Sequence, residues 1–302
     1  MKIPFLSGEY VNAFRPSAQI YPGPDCPDLH HGEYYDEWVP NDHTFIRDDG
    51  GNWHIFGITH PLTPVEHVHE GEVQLFHAKA PADAFDRLAP GVFRDLGCVL
   101  PPAERPGEPK EIHSPAIVEI GGVYHMIYGP TQFRLALSRD LEHWELKGER
   151  FRDVEGASRD PQIMAHNGRF LLCYCSGYAV KMCQSPDLRN WGEATTILRL
   201  PEGVCPESPF LLNHDGIFYL FVCTWQGKNW DHKTISDAYQ HQTLVYAADR
   251  IENLGRREPV TVLDAHAPEI VETDGRYFIS SVEWPCRGIN LAPLEFQSSD
   301  PE

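Results

Sequence analysis

The chain has 302 residues, 41% of them hydrophobic, with 26 Pro, 24 Gly and a formal net charge of −19. That acidic balance argues against nucleic acid or an anionic membrane as partner, since both need a basic surface, and no apolar run approaches the ~18 residues of a membrane-spanning helix. The first ten residues hold no sustained apolar segment and do not read as a secretory signal; eight cysteines without a CxxC pair, several inside apparent strands (Cys173, Cys175, Cys183, Cys223), complete the reading of a reduced, cytoplasmic protein with eight free thiols.

Residues 1–37 are aromatic and acidic, with turn signals at Tyr21-Pro-Gly-Pro24 and His30-His31. A strand–turn–strand frame then begins with Asn41-Asp-His-Thr-Phe-Ile46 ahead of Gly50. It recurs as His113-Ser-Pro-Ala-Ile-Val118 before Gly122, and as Arg159-Asp-Pro-Gln-Ile-Met164 before Gly168. The fourth copy is Glu207-Ser-Pro-Phe-Leu-Leu212 before Gly216, and the fifth is His266-Ala-Pro-Glu-Ile-Val271 before Gly275. In the last four copies Pro115, Pro161, Pro209 and Pro268 each stand seven residues before the turn glycine; the first copy lacks the proline and keeps the frame to within one residue. Asp215-Gly216 between two apolar runs is a strong hairpin signal. A second motif, Ser-x-Asp-Leu-x-x-Trp, occurs at Ser138–Trp144 and Ser185–Trp191, and reads as a turn after the third strand with Trp packed between blades.

Self-similarity at this period means a repeat architecture. Five copies predict an all-β, five-bladed β-propeller, a single domain over 1–302, with part of 1–37 giving a strand to the blade formed at the other chain end. The blade-one connection, residues 59–70, carries His60, His67 and His69. Two histidines at 67 and 69 share a face only in extended chain, and with no defined third ligand they read as polar or sugar-contacting residues before a metal site. Pro101–Pro109 reads as an exposed connector without core-forming residues.

In a propeller blade the first strand lines the central channel, so the starts of all first strands meet at one mouth. They carry Asp42, His113-Ser114, Arg159-Asp160, Glu207 and His266. Like charges brought together raise the pKa of at least one member, and a protonated acid facing an ionised base is the equipment of glycoside hydrolysis. Turn chemistry alone could explain Asp160 before Pro161, but Ser114 and Ala267 hold the same place, so the turn does not require an acid. Glu207 is a poor turn former and strand former, which favours a functional role. His266 reads equally as a buried, hydrogen-bonded channel residue or as a ligand. Trp225, Trp284 and Arg287 follow second strands and are placed at the mouth, where aromatic faces stack on sugar C–H groups; outer-blade packing is the alternative. His69 belongs to a loop that walls one side, favouring a pocket and an exo mode.

These residues resemble the five-bladed furanosidases of glycoside hydrolase families 43 and 32. Asn41-Asp42 is similar to the Asn-Asp-Pro motif that opens family 32 and aligns with the family 43 base, with His43 where proline is usual. Arg159-Asp160-Pro161 resembles the Arg-Asp-Pro motif, and Glu207-Ser-Pro209 the Glu-Gly-Pro of the family 43 general acid; Cys205-Pro-Glu207 departs from the Glu-Cys of family 32. The resemblance implies a hydrolase that removes a furanosyl or pentosyl residue from a short oligosaccharide. Glu207 would be the general acid and Asp42 the general base, with Asp160 orienting the sugar and raising the pKa of Glu207. His113 and Arg159 would join the sugar contacts. No cofactor is required, though the channel at His266 leaves room for a calcium ion. Three alternatives stand beside this inverting reading. One is a retaining, family 32-like fructosidase with Asp42 as nucleophile; another is a non-catalytic sugar-binding propeller; the third is a metal-dependent enzyme using His67 and His69. The sugar, the linkage and the oligomeric state are not specified.

Overall fold

Turn chemistry sets the frame. Four hairpins turn through two consecutive left-handed residues, Gly121-Gly122, Asn167-Gly168, Asp215-Gly216 and Asp274-Gly275. Positive φ at both central positions gives the primed turn whose twist matches the flanking strands, and Gly, Asn and Asp reach it at least cost. The first hairpin differs: Gly51 takes φ 81°, and the Asp48 carboxylate accepts the Asn52 backbone N–H at 2.8 Å.

The computed structural model describes residues 1–63, 71–225, 242–283 and 287–298. The chain opens with β1 (Lys2–Leu6) and β2 (Val11–Phe14), and β3 (Gln19–Ile20) pairs with β4 (Tyr34–Tyr35). Blade one is β5 (Trp38–Arg47), β6 (Trp53–Pro61), β7 (Gln74–Ala80) and β8 (Arg94–Val99). Blade two is β9 (His113–Glu119), β10 (Tyr124–Gly129), β11 (Phe133–Ser138) and β12 (Glu145–Phe151). Blade three is β13 (Arg159–His166), β14 (Arg169–Ser176), β15 (Ala179–Ser185) and β16 (Thr195–Arg199). Blade four is β17 (Cys205–His214), β18 (Ile217–Trp225), β19 (Gln242–Ala248) and β20 (Thr261–Asp264). Blade five is β21 (Ile270–Thr273), β22 (Arg276–Glu283) and β23 (Gly288–Ser298), with β1 antiparallel to β23 as its fourth strand and β2 also paired with β23. In blades one to four the strands are ordered as they follow in sequence, and the fold is a five-bladed β-propeller.

By contact density the chain divides into two compact units. One, Asn12–Pro161 with Val282–Ile289, contains blades one and two; its core includes Phe56, Leu75, Met126, Tyr128 and Ala136. The other, formed by Met1–Val11, Gln162–Ser281 and Asn290–Glu302, has a core around Leu171, Val180, Leu220 and Val222. A second cluster in that unit joins Tyr219, Phe221, Val245, Ile279 and Leu294, with Leu6 of β1 packed on it. A middle strand is covered on both faces, so β6 is buried at every residue and does not alternate.

The Ser-x-Asp-Leu-x-x-Trp motif is a turn held by side-chain acceptors. Ser138 Oγ accepts the Leu141 N–H at 2.8 Å, and Asp140 Oδ1 accepts those of Glu142 and His143 at 2.9 and 2.8 Å. In the second copy the Asn190 and Arg189 N–H groups pull the Asp187 carboxyl down to about 2. Both leucines are buried at positive φ, 63° at Leu141 and 58° at Leu188. Trp144 packs edge-on against Phe56 of β6, with ring centroids 5.7 Å apart. The seven described cysteines are free thiols, and four of them are buried.

The connector after β8 is not the coreless segment its prolines suggest. Arg105 is fully buried there and donates to four main-chain carbonyls: Leu100 at 2.8 Å, Pro109 at 2.8 Å, Val73 at 2.9 Å and Lys110 at 2.5 Å. Five donors in a rigid fork suit that task, where a lysine's point charge would not. Arg105→Leu should leave those carbonyls short of donors and destabilise the protein by about 3 kcal/mol or more. Urea unfolding would read this as a lowered midpoint at unchanged slope; a midpoint equal to wild type would mean that water replaces the guanidinium at no cost.

Candidate active site

In blades one, two and four the start of the first strand carries a β-bulge. In blade two, Ala116 pairs with Ile127 and His113 with Gly129, which leaves Ser114-Pro115 opposite Tyr128 alone. In blade four, Ser208-Pro209 stand opposite Val222, and in blade one Asn41-Asp42 stand opposite Ile58. A bulge leaves its extra residue unpaired, so proline's missing N–H loses nothing there. The residue before each of the four prolines is left-handed: Ser114 φ 41°, Asp160 φ 54°, Ser208 φ 45° and Ala267 φ 48°. None is glycine, and each conformation costs about 1–3 kcal/mol unless its surroundings impose it.

This register shows that the three carboxylates are not equivalent. Glu207 pairs with Cys223 immediately before its bulge, the place that His113 holds in blade two. Asp160 occupies the left-handed place itself, and Asp42 occupies the place that proline takes in the later blades. One frame therefore presents three acids at three successive positions.

Asp42, Ser114, Arg159 and Asp160 come together in one unit. Ser114 Oγ lies 2.7 Å from Asp42 Oδ2 and 3.1 Å from Asp160 Oδ1. Arg159 Nη1 donates to Asp160 Oδ2 at 2.7 Å. Asp160 is buried, Asp42 half-buried. His113, at the start of β9, has Nε2 3.1 Å from the buried carboxylate of Glu72. Its sugar-contacting assignment thus has a competing protein partner, and nothing in the sequence marked Glu72.

Glu207, Cys223 and His266 lie in the other unit. Glu207 is half-buried on β17. His266 is buried; its backbone N–H donates to Ser281 Oγ at 3.0 Å, and its Nδ1 lies 3.1 Å from Cys223 Sγ. Calcium takes six to eight oxygen ligands, whereas the imidazole here meets a thiol. Among the described residues no group of three His, Cys, Asp or Glu side chains is arranged to hold a metal ion.

Arg287 is exposed, with Nη2 4.0 Å from Glu37 Oε2, a surface pair worth little. His67, His69, Trp284 and the side chain of Trp225 lie outside the described residues; the backbone of Trp225 ends β18 opposite Cys205. Sequence reasoning passed over Ser114, noted there only for not being an acid, and over Cys223, taken as strand filling. Both stand at or opposite the bulge, which was the available signal.

The profile of the family described as glycosyl hydrolases family 43 matches residues 104–281. No curated protein matches the chain. Among solved structures, an exo-1,5-α-L-arabinanase from a bovine ruminal metagenomic library is similar at 19% identity and TM-score 0.60, over 87% of this chain and 94% of that one. A family 43 enzyme from Xanthomonas citri in complex with xylotriose is similar at 14% identity and TM-score 0.63, over 87% and 89%. A β-xylosidase/α-arabinofuranosidase from a compost microbial metagenome is similar at 12% identity and TM-score 0.59, over 87% and 92%.

Beside Asp42, His43 is buried, with Nδ1 3.2 Å from the Asn41 carbonyl. Burial lowers its pKa to about 4, against a small opposing effect of that carbonyl. His77 is lowered to about 3, by burial and then by His54. An unfolded histidine titrates near 6.5, so below that pH the unfolded chain binds protons that the folded one refuses. The stabilisation is full above pH ~6.5 and is lost as pH falls toward the folded values. For His43 the whole window is worth about 3 kcal/mol. The thermal midpoint should therefore fall between pH 6.5 and 4, and His43→Gln should flatten that slope; an unaltered slope would remove His43 from the account.

Proposed function

The chain belongs to glycosyl hydrolases family 43 and is a glycoside hydrolase, and from that premise we propose that it releases a terminal pentosyl or furanosyl residue from a short oligosaccharide with inversion at the anomeric carbon. The observation that carries this reading is the joined pair of aspartates, Asp42 and Asp160, held through Ser114 and Arg159. Pentose-specific names among the structurally similar enzymes support the substrate class.

Asp42 is the base that takes a proton from the attacking water. A base must be held within hydrogen-bond reach of its proton, and Asp42 accepts the Ser114 hydroxyl at Oδ2. Asp160, tied to a guanidinium and a hydroxyl, is a fixed anion that orients the sugar and does not exchange protons in the cycle. Glu207, at its own place in the frame and half-buried, is the acid that protonates the departing oxygen. The reaction is assigned to these side chains and no step runs through a metal.

Glu207→Gln should lower kcat by about 100- to 10,000-fold on substrates whose leaving group needs a proton, and much less on dinitrophenyl glycosides, which depart unaided. Asp42→Asn should show no such rescue, because the base acts on water whatever the leaving group. Equal losses on both substrate types in Glu207→Gln would sink the role of acid, and full activity in Asp42→Asn that of base. Proton NMR of the first-formed sugar should show the anomer opposite to the substrate; retention would turn Asp42 into a nucleophile.

A further inference from the structure

We propose that Ser114 is the positioning residue of the hydrolytic base: its hydroxyl donates its one proton to Asp42 and holds the carboxylate through Oδ2. This rests on the reading of Asp42 as base and adds a residue that exchanges no proton with the substrate.

The argument begins from the number of protons available. A serine hydroxyl has one proton to donate, yet two carboxylate oxygens lie on Ser114 Oγ, at 2.7 and 3.1 Å. The shorter contact marks Asp42 as the principal acceptor. Asp160 can stand at the same hydroxyl because its other oxygen meets the Arg159 guanidinium at 2.7 Å, which balances its charge. The order is thus guanidinium, Asp160, hydroxyl, Asp42. The terminal torsion of an aspartate is broad, which leaves a carboxylate rotational freedom. A hydrogen bond to one oxygen removes that freedom, and a base misplaced by an ångström loses rate steeply.

The backbone supplies an independent observation. Ser114 is buried and sits at φ 41°, a conformation that glycine takes at no steric cost. The corresponding place in blade five is Ala267, also buried and at φ 48°. The left-handed place before proline therefore tolerates a residue with no hydroxyl, and the local backbone does not account for the serine. What the hydroxyl touches does.

Ser114→Gly and Ser114→Ala separate the two accounts. If the hydroxyl positions Asp42, both should lower kcat by about 10- to 100-fold with KM within about threefold, and the glycine variant should keep its thermal midpoint or gain. If Ser114 is only a strained turn residue, the glycine variant should match wild-type kcat, which overturns the proposal. Asp42→Asn measured alongside tells the two readings apart. An active Asp42→Asn overturns the base reading and this proposal with it; an inactive Asp42→Asn beside a fully active Ser114→Gly overturns this proposal alone. Crystal structures of wild type and Ser114→Gly give a readout that needs no substrate. The Asp42 carboxylate should turn or split once the hydroxyl is gone, and a single unchanged orientation would refute its positioning role.

Discussion

A residue held at positive φ directly before a proline is the constraint on which the rest of the structure depends. It occurs at Ser114, Asp160, Ser208 and Ala267, always at the start of the strand that opens a blade. Left-handed geometry is disfavoured for residues with a Cβ, and only a surrounding sheet that over-determines the backbone keeps it. The bulge also re-aims the side chains on either side of it. The residues directly before those places are His113, Arg159, Glu207 and His266, all of them polar. In the last four blades the strained residue thus stands at one end of the first strand and a primed hairpin at the other.

Those hairpins were the legible part of the fold. Gly122, Gly168, Gly216 and Gly275 announce turns because positive φ has few chemical solutions, and Pro115, Pro161, Pro209 and Pro268 mark where a ladder can do without a donor. Both signals are local, so a single sequence is enough to read them. The Ser-x-Asp-Leu-x-x-Trp motif was legible for the same reason: its serine and aspartate bond to N–H groups within three residues. Arg105 was not legible, because its four acceptors come from Val73, Leu100, Pro109 and Lys110 and include no pattern of their own. The same holds for Glu72 against His113 and for Cys223 against His266, pairs assembled across strands.

The candidate carboxylates fall between these cases. Their types and order could be read, and so could the repeat that carries them. Their inequivalence could not, since it depends on where each bulge falls. Asp42 stands one place further along the frame than Asp160, and Glu207 one place earlier. The first copy of the repeat lacks proline because Asp42, the residue proposed as base, stands in proline's place. A proline at 42 would have kept the frame regular and removed the carboxylate.

Asp160 illustrates how one position can serve structure and chemistry together. As a left-handed residue before Pro161 it shapes the strand start, a task that Ser208 and Ala267 perform without charge. Its carboxylate is buried and meets the Arg159 guanidinium at 2.7 Å. Burying a charge without partners costs several kcal/mol, roughly, so the guanidinium next to it in sequence is a requirement and not an accessory. Arg159 directly precedes Asp160 in the chain and reaches it at 2.7 Å, so the partner that offsets the buried charge is supplied locally and needs no other strand to be in place.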